Sequence, residues 1–155
     1  MSNRPKVPHK TTLLVRDCCL CLHVQRAARA LARRFDEVLR PLGLTNGQFS
    51  LLMSLNQPQA PPMSAVASLL AMDRTTLTAA LKPLQRRGLV TVAADPGDRR
   101  SRLMALTPKG MTLLARAVPI WERAHQEIEG LVPDGDPNRL RNSLRALSAG
   151  GTSPS

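Results

Sequence analysis

Between Cys18 and Leu42, apolar residues at Leu20, Val24, Ala28, Leu31, Phe35, Val38 and Leu42 recur every three or four positions, with Arg26, Arg29, Arg33 and Glu37 off that line. This spacing lays an apolar stripe along one side of an α-helix. The stripe is longer than a short neighbouring helix of the same chain can cover, and its spacing approaches a heptad, so a second subunit is its natural cover. Composition points the same way. Of 155 residues, 43% are hydrophobic but only 2% aromatic, with no Tyr, two Phe and the single Trp121. The core must therefore be built from Leu, Ala, Val and Met, a set that favours helices over a large sheet. The length suits one hydrophobic core rather than a multidomain enzyme.

The chain carries 22 Lys and Arg against 11 Asp and Glu, a formal net charge of +11. Such a balance makes a polyanion the first partner to consider. No stretch approaches the roughly 20 apolar residues of a membrane span. The Leu13-Leu14-Val15 run gives way at once to Arg16 and Asp17, which is not a signal-peptide pattern. A cytoplasmic protein with no membrane partner is expected. Cys18, Cys19 and Cys21 crowd one short segment, so they cannot staple distant parts of a secreted fold, and a reducing compartment suits them.

Along the chain, residues 1–15 read as a flexible basic tail interrupted by Pro5 and Pro8. The long helix follows, from about Cys18 to Leu42, with Gly43 as its stop. Thr45 with Gln48 forms a capping box for a second helix through Phe49, Leu51, Leu52 and Leu55. Three prolines between Asn56 and Pro62 break the chain. Ser64 is expected to cap a short third helix, and Asp73 a fourth running to Arg87 before Gly88; the two meet across Ala71-Met72. Leu89–Val92 and Leu103–Leu106 are rich in β-formers and Pro96-Gly97-Asp98 signals a turn, so they read as one hairpin. Thr107 caps a further helix with Pro108 at its first position; Met111, Leu114, Val118, Trp121, His125 and Ile128 form its stripe, and Pro119 should kink it. A last helix starts at Asp136-Pro137 with Leu140, Leu144 and Leu147 on one face, and residues 149–155 read as a disordered tail.

The order is short helix, tight turn, second helix and hairpin, between long amphipathic helices. The expected fold is mainly α with a small β-hairpin wing: a winged helix-turn-helix over residues 45–106, inside a helical dimerisation frame at 16–44 and 107–148. On the fourth helix Leu77, Leu81 and Leu84 suit the core, whereas Arg74, Thr75, Thr78 and Lys82 lie on other sides. Short polar and cationic side chains fit a major groove, where Arg takes guanine bidentately. Read alone, they are equally well solvated surface residues. The hairpin shifts that balance, because Asp98-Arg99-Arg100-Ser101-Arg102 concentrates three arginines at a turn, a placement that puts Arg within reach of a minor groove.

The runs Asp73-Arg74-Thr75-Thr76-Leu77-Thr78, Leu84-Gln85-Arg86-Arg87-Gly88-Leu89-Val90, Asp95-Pro96-Gly97-Asp98-Arg99-Arg100 and Leu106-Thr107-Pro108-Lys109-Gly110 stand in this order. Together with Arg40-Pro41-Leu42-Gly43-Leu44-Thr45 and Gln48-Phe49, the sequence resembles the MarR family over roughly residues 20 to 147. The resemblance implies a homodimer on double-stranded DNA, with two recognition helices in successive major grooves. It implies that Arg74, Thr75, Thr76 and Thr78 approach bases or phosphates, that Asp98 pairs with Arg100 at the wing tip, and that Ser64 sits near a phosphate. Arg99, Arg102 and Lys82 complete the DNA-binding set. A sequence-specific regulator, most often a repressor on a pseudo-palindromic operator, is the function implied. A small aromatic or phenolic effector in a crevice between frame and reading lobe is the release mechanism the family suggests, with Phe35, Phe49 and Trp121 available to line it.

Cys21 lies 24 residues before Thr45, a placement similar to the peroxide-reactive cysteine of the family's organic-hydroperoxide sensors, although this chain lacks the tyrosines that hold that thiolate. A thiol sensor using Cys21, with Cys18 on the same helix face, therefore stands beside the reading of all three cysteines as small buried apolar residues. A zinc site would need His9 or His23 to supplement the thiols, and no metal or cofactor is expected. Two further classes compete: a non-specific nucleic-acid-coating protein, and a cysteine enzyme with His23 or His125 as base. The chain has no Gly-rich phosphate loop, nucleophile elbow or His-Glu-x-x-His motif, so it is not expected to be an enzyme.

Overall fold

A computed structural model of the chain describes residues 5–149. Among them seven helices and one hairpin follow in order: α1 (His9–Cys18), α2 (Leu20–Leu39), α3 (Asn46–Leu55), α4 (Met63–Leu69), α5 (Arg74–Arg86), β1 (Val90–Asp95), β2 (Asp98–Leu106), α6 (Pro108–Glu129) and α7 (Pro137–Ala149). Single 3-10 turns at Arg40–Leu42 and Pro133–Gly135 join α2 to α3 and α6 to α7. No helix of the described residues is long and apolar enough to cross a membrane.

Local chemistry sets most boundaries. Gly43 takes the left-handed conformation, φ 65°, that closes the turn after α2. Thr45 Oγ1 accepts from the Gln48 amide at 3.2 Å while Gln48 Oε1 accepts from the Thr45 amide at 3.1 Å, the reciprocal capping box that starts α3. At α6, Thr107 Oγ1 accepts from the Gly110 amide at 3.0 Å and Pro108 opens the helix. That helix continues unbroken past Pro119 to Glu129.

Three boundaries differ from expectation. Residues 9–15, expected to be a flexible tail, are helical; Pro8 sits in extended geometry just ahead of the first turn, where its missing N–H is not needed. Expectations for residues 1–4 and 150–155 lie outside the described residues. Nor does one helix run on through the cysteines, because Cys19 leaves helical geometry at φ −69°, ψ 109° and separates α1 from α2. Ser64 does not cap α4. The helix starts two residues earlier than a Ser64 cap would set, behind Pro62, since Met104 N–H donates to the Pro61 carbonyl and Pro62 bridges to Leu103, fixing the chain's entry.

The core gathers Leu39 of α2, Leu51, Leu52 and Leu55 of α3, Leu77, Leu81 and Leu84 of α5, Met104 of β2, and Leu114 with Ala117 of α6. Each leucine buried this fully stabilises the lobe by about 2 kcal/mol. Beyond this lobe the chain leaves much apolar surface uncovered. α1 and α7 bury no residue, and α2 buries only Phe35 and Leu39. Leu20, Val24, Leu31 and Val38 of the stripe, and Leu140, Leu144 and Leu147 of α7, are exposed. Arg141 tethers α7 to α6 by donating to Glu129 at 2.5 Å, which holds that carboxyl below its usual range.

Where α5, β1 and α6 meet, the backbone is tightly tied. Arg87 donates to the Gly43 carbonyl at 2.6 Å, Lys109 to the Arg87 carbonyl at 2.9 Å, and Thr107 Oγ1 to the Gly88 carbonyl at 2.6 Å. Gly110 lies against Leu89 so closely that a Cβ there would overlap the Leu89 carbonyl oxygen. Gly→Ala in a helix ordinarily stabilises by up to about 1 kcal/mol. Gly110→Ala is expected to do the opposite, destabilising by about 1–3 kcal/mol through overpacking; a thermal melt with an unchanged or raised Tm would refute this close approach.

Candidate nucleic-acid interface

The candidate reading surface is built from α4, the turn at residues 70–73, α5 and the hairpin. The turn is closed by Ala71, which adopts φ 52° without being a glycine, and by Met72 N–H donating to the Ala67 carbonyl at 2.9 Å. Asp73 then starts α5. Its Oδ1 accepts from the Thr76 amide at 2.7 Å and its Oδ2 from the Thr76 hydroxyl at 2.9 Å. These bonds, the amide first, lower the Asp73 pKa below the ordinary carboxylate range. Leu77, Leu81 and Leu84 at 0–1% exposure bury one face of α5. Arg74, Thr75, Thr76, Thr78 and Lys82 are exposed on the remainder, and Ser64 is exposed in the first turn of α4.

The exposed groups are not equally free. The Thr76 hydroxyl is committed to Asp73, and the Thr78 hydroxyl donates to the Arg74 carbonyl at 2.8 Å. No side-chain hydrogen bond or ion pair engages Arg74, Thr75 or Lys82 among the described residues. Pro83 lies in the last turns of α5, past this exposed set, and the helix continues to Arg86.

The wing is longer than its β-propensity indicates. β1 and β2 pair antiparallel from Val90–Leu106 to Ala94–Arg102, and then the register jumps to Asp95–Asp98. Arg99, Arg100 and Ser101 thus form an irregular insertion in β2 rather than a turn, which is closed by Pro96-Gly97. The implied Asp98–Arg100 pair takes another form: Asp98 Oδ1 accepts from the Arg100 backbone amide at 3.0 Å. The Arg100 guanidinium has no acidic partner among the described residues, nor do those of Arg99 and Arg102.

Charge is sorted on this face. Asp73, Asp95 and Asp98 all accept from backbone amides, so the acids are spent holding local geometry. The five cations Arg74, Lys82, Arg99, Arg100 and Arg102 are exposed and lack ion pairs among the described residues. A surface of uncompensated cations beside a helix N-terminus is suited to polyphosphate. Sequence reasoning missed what anchors it: the Pro61 and Pro62 contacts to β2, and the tie from Lys109 to the Arg87 carbonyl, two residues that the family motifs contain without indicating that they meet.

On another side, Phe49, Met53, Leu69, Leu70, Val118 and Trp121 line a cleft of about 530 Å³ between α3, α4 and α6, with Ser50, Ser54 and Glu122. Trp121 stacks on Phe49, Phe35 and His125 with ring centroids 6.0, 6.5 and 4.5 Å apart. Phe35 itself is buried behind Trp121 rather than lining the cleft.

Cys18 and Cys21 are exposed and Cys19 is partly covered, so none is a buried core residue of the single chain. The break at Cys19 puts Cys18 and Cys21 on different helices, which removes the shared helix face. Gln25 Nε2 donates to Cys21 Sγ at 3.4 Å. His23 Nδ1 lies 2.8 Å from the Cys19 carbonyl. Among the described residues no three His, Cys, Asp or Glu side chains are grouped as a metal site requires.

Residues 44–101 match the model of the MarR family. The M. tuberculosis transcriptional regulator MosR, solved in complex with DNA, is 38% identical with a TM-score of 0.78, covering 86% of this chain and 96% of MosR. CouR from Rhodococcus jostii RHA1, solved with p-coumaroyl-CoA, is 26% identical with a TM-score of 0.74, covering 90% and 97% of the two chains. The organic hydroperoxide resistance transcriptional regulator of Bacillus subtilis is 30% identical over 101 residues, 65% of this chain and 69% of its own length.

The Asp73 cap has a pH signature. Its folded pKa is depressed, so its contribution is present above the unfolded value near 3.8 and is lost as pH falls through the lower folded value. Asp73→Asn keeps a capping side chain without the titration. The Tm of the wild type is expected to fall more steeply than that of Asp73→Asn below about pH 4, while Asp73→Ala is less stable than both at neutral pH. Parallel Tm curves for wild type and Asn variant would contradict the cap's role.

Proposed function

The chain belongs to the MarR family and is a transcriptional regulator that binds DNA; from that premise we propose that it is a cytoplasmic homodimeric repressor that reads a pseudo-palindromic operator and is released by a small ligand. The observation that carries this reading is the sorting of charge: every acid on the reading face is consumed by a backbone amide, leaving five unpaired cations on α5 and the wing among the described residues. Arg74 and Thr75, with uncommitted side chains at the start of α5, read base edges in the major groove. Thr76 and Thr78 present methyls and lone pairs beside them, and Lys82 and Ser64 meet phosphates. Arg99, Arg100 and Arg102 extend along the adjacent minor groove, the backbone around Arg100 being held by Asp98.

Dimerisation is supported by the uncovered stripe of α2 and the apolar face of α7. An exposed apolar surface this extensive marks an interface. Residues 16–44 and 107–148 then form the frame and 45–106 the reading domain, with two reading heads about one helical turn apart. Release by ligand is supported by the cleft at Phe49 and Trp121, which touches both the frame helix α6 and the α4 segment leading into the recognition helix. A ligand seated there biases how the two move together.

Exposure of Cys18 and Cys21, with the similarity to a hydroperoxide resistance regulator, favours a second route to release in which a hydroperoxide oxidises Cys21 and displaces the start of α2. Its test is operator binding by wild type and Cys21→Ser with and without a mild organic hydroperoxide. Equal behaviour of the two discards it.

Two outcomes follow for DNA binding. Fragments of sheared host DNA selected by the purified protein at near-physiological salt are expected to be enriched in an inverted repeat, whereas a non-specific coating protein enriches nothing and weakens with salt equally on all DNA. Arg100→Ala is expected to lower operator affinity about tenfold with the dimer intact; titration showing unchanged affinity would remove Arg100 from the mechanism.

A further inference from the structure

The cleft between α3, α4 and α6 has a charge character opposite to that of the molecule. In a chain of 22 Lys and Arg, its lining includes neither; the one charged residue is Glu122. Residues three and four away on α6 are Val118, Pro119, His125 and Gln126; His125 stacks on Trp121 and lies 3.9 Å from Glu129 rather than pairing with Glu122. No hydrogen bond or ion pair engages its carboxylate among the described residues. Next to it stands the indole of Trp121, held as a platform by Phe49 on α3 and His125 on α6. The Ser54 hydroxyl is committed to the Leu51 carbonyl at 2.6 Å, while that of Ser50 has no partner among the described residues.

An aromatic body in this cleft covers Trp121 and the side chain of Leu69, which is 65% exposed. A cationic nitrogen on the same molecule gains from the Glu122 carboxylate. A carboxylate there gains nothing and is repelled by Glu122. A volume of about 530 Å³ is in the range of small-ligand sites. We propose that the ligand taken by this cleft is an arylalkylamine, its ring seated at Trp121 and Phe49 and its aliphatic ammonium at Glu122. This rests on the reading of the chain as a ligand-released regulator, and it sets the site apart from one built for an anion such as the p-coumaroyl-CoA bound by CouR.

Trp121 is the sole tryptophan, so the 15N-labelled full-length protein gives one indole N–H resonance that reports on the cleft. The probes are 2-phenylethylamine and 3-phenylpropionate, alike in ring and chain and opposite in charge, each titrated against that resonance and against operator binding. The amine is expected to shift the resonance at about tenfold lower concentration than the acid, and Glu122→Gln to abolish that preference while both still bind through the ring. An acid that binds as tightly as the amine, or a preference unchanged in Glu122→Gln, overturns the proposal. If the acid shifts the resonance at the same concentration as the amine or lower and releases operator, the ligand-released reading stands and only the amine class falls. If neither probe moves the resonance at millimolar concentration, the cleft is no small-molecule site and release through it falls too.

Discussion

The structure depends on how α2 is covered along its length. Its C-terminal end is locked into the lobe by Phe35 and Leu39, yet Leu20, Val24, Leu31 and Val38 remain 36–67% exposed. A helix cannot leave such a stripe in water without cost, and burial against another apolar surface is the strongest driving force available to offset it. The same imbalance recurs in α7, which buries no residue and is tied back to α6 by Arg141 and Glu129. One end of the molecule therefore completes itself, while the other leaves an apolar face open to solvent.

The self-complete end is rigid for a reason that bears on DNA recognition. A recognition helix reads bases only if its orientation is fixed to a fraction of an ångström, and α5 is fixed from three directions. Leu77, Leu81 and Leu84 anchor its inner face, Asp73 fixes its first turn, and Arg87 ties its exit to Gly43 while Lys109 ties that same junction to α6. The wing is fixed independently, through Pro61 and Pro62 against β2. Acids hold this geometry and the cations are left without ion pairs among the described residues, so the groups that fix the surface are not those it presents to a polyanion.

Much of this is legible in the sequence because its causes are local. Thr45 with Gln48, Asp73 and Thr107 are N-caps whose chemistry depends on residues three positions away, and Gly43 and Gly88 mark positions that need positive φ. Fold class follows from those signals and the period of the leucines. What stays hidden is non-local or atypical. Ala71 closes the helix-turn-helix without the glycine that would announce it. Pro61 contributes a carbonyl to the wing, and a proline run gives no strand signal. Cys19 interrupts the long helix although it is neither Gly nor Pro. The exposed positions of α5 are legible from its leucine period, but which of their side chains are free is not: the commitment of Thr76 to Asp73 and of Thr78 to Arg74 appears only in three dimensions.

The uncovered stripe is expected to join two chains before DNA is met, so that two reading heads arrive as one rigid unit. Sedimentation equilibrium of the full-length protein without DNA tests it most directly. The expected result is a mass twice that of the 16.9 kDa chain, persisting to micromolar concentration or below. A species that stays at 16.9 kDa until operator is added would contradict it, and would leave the apolar faces of α2 and α7 without the partner on which the account relies.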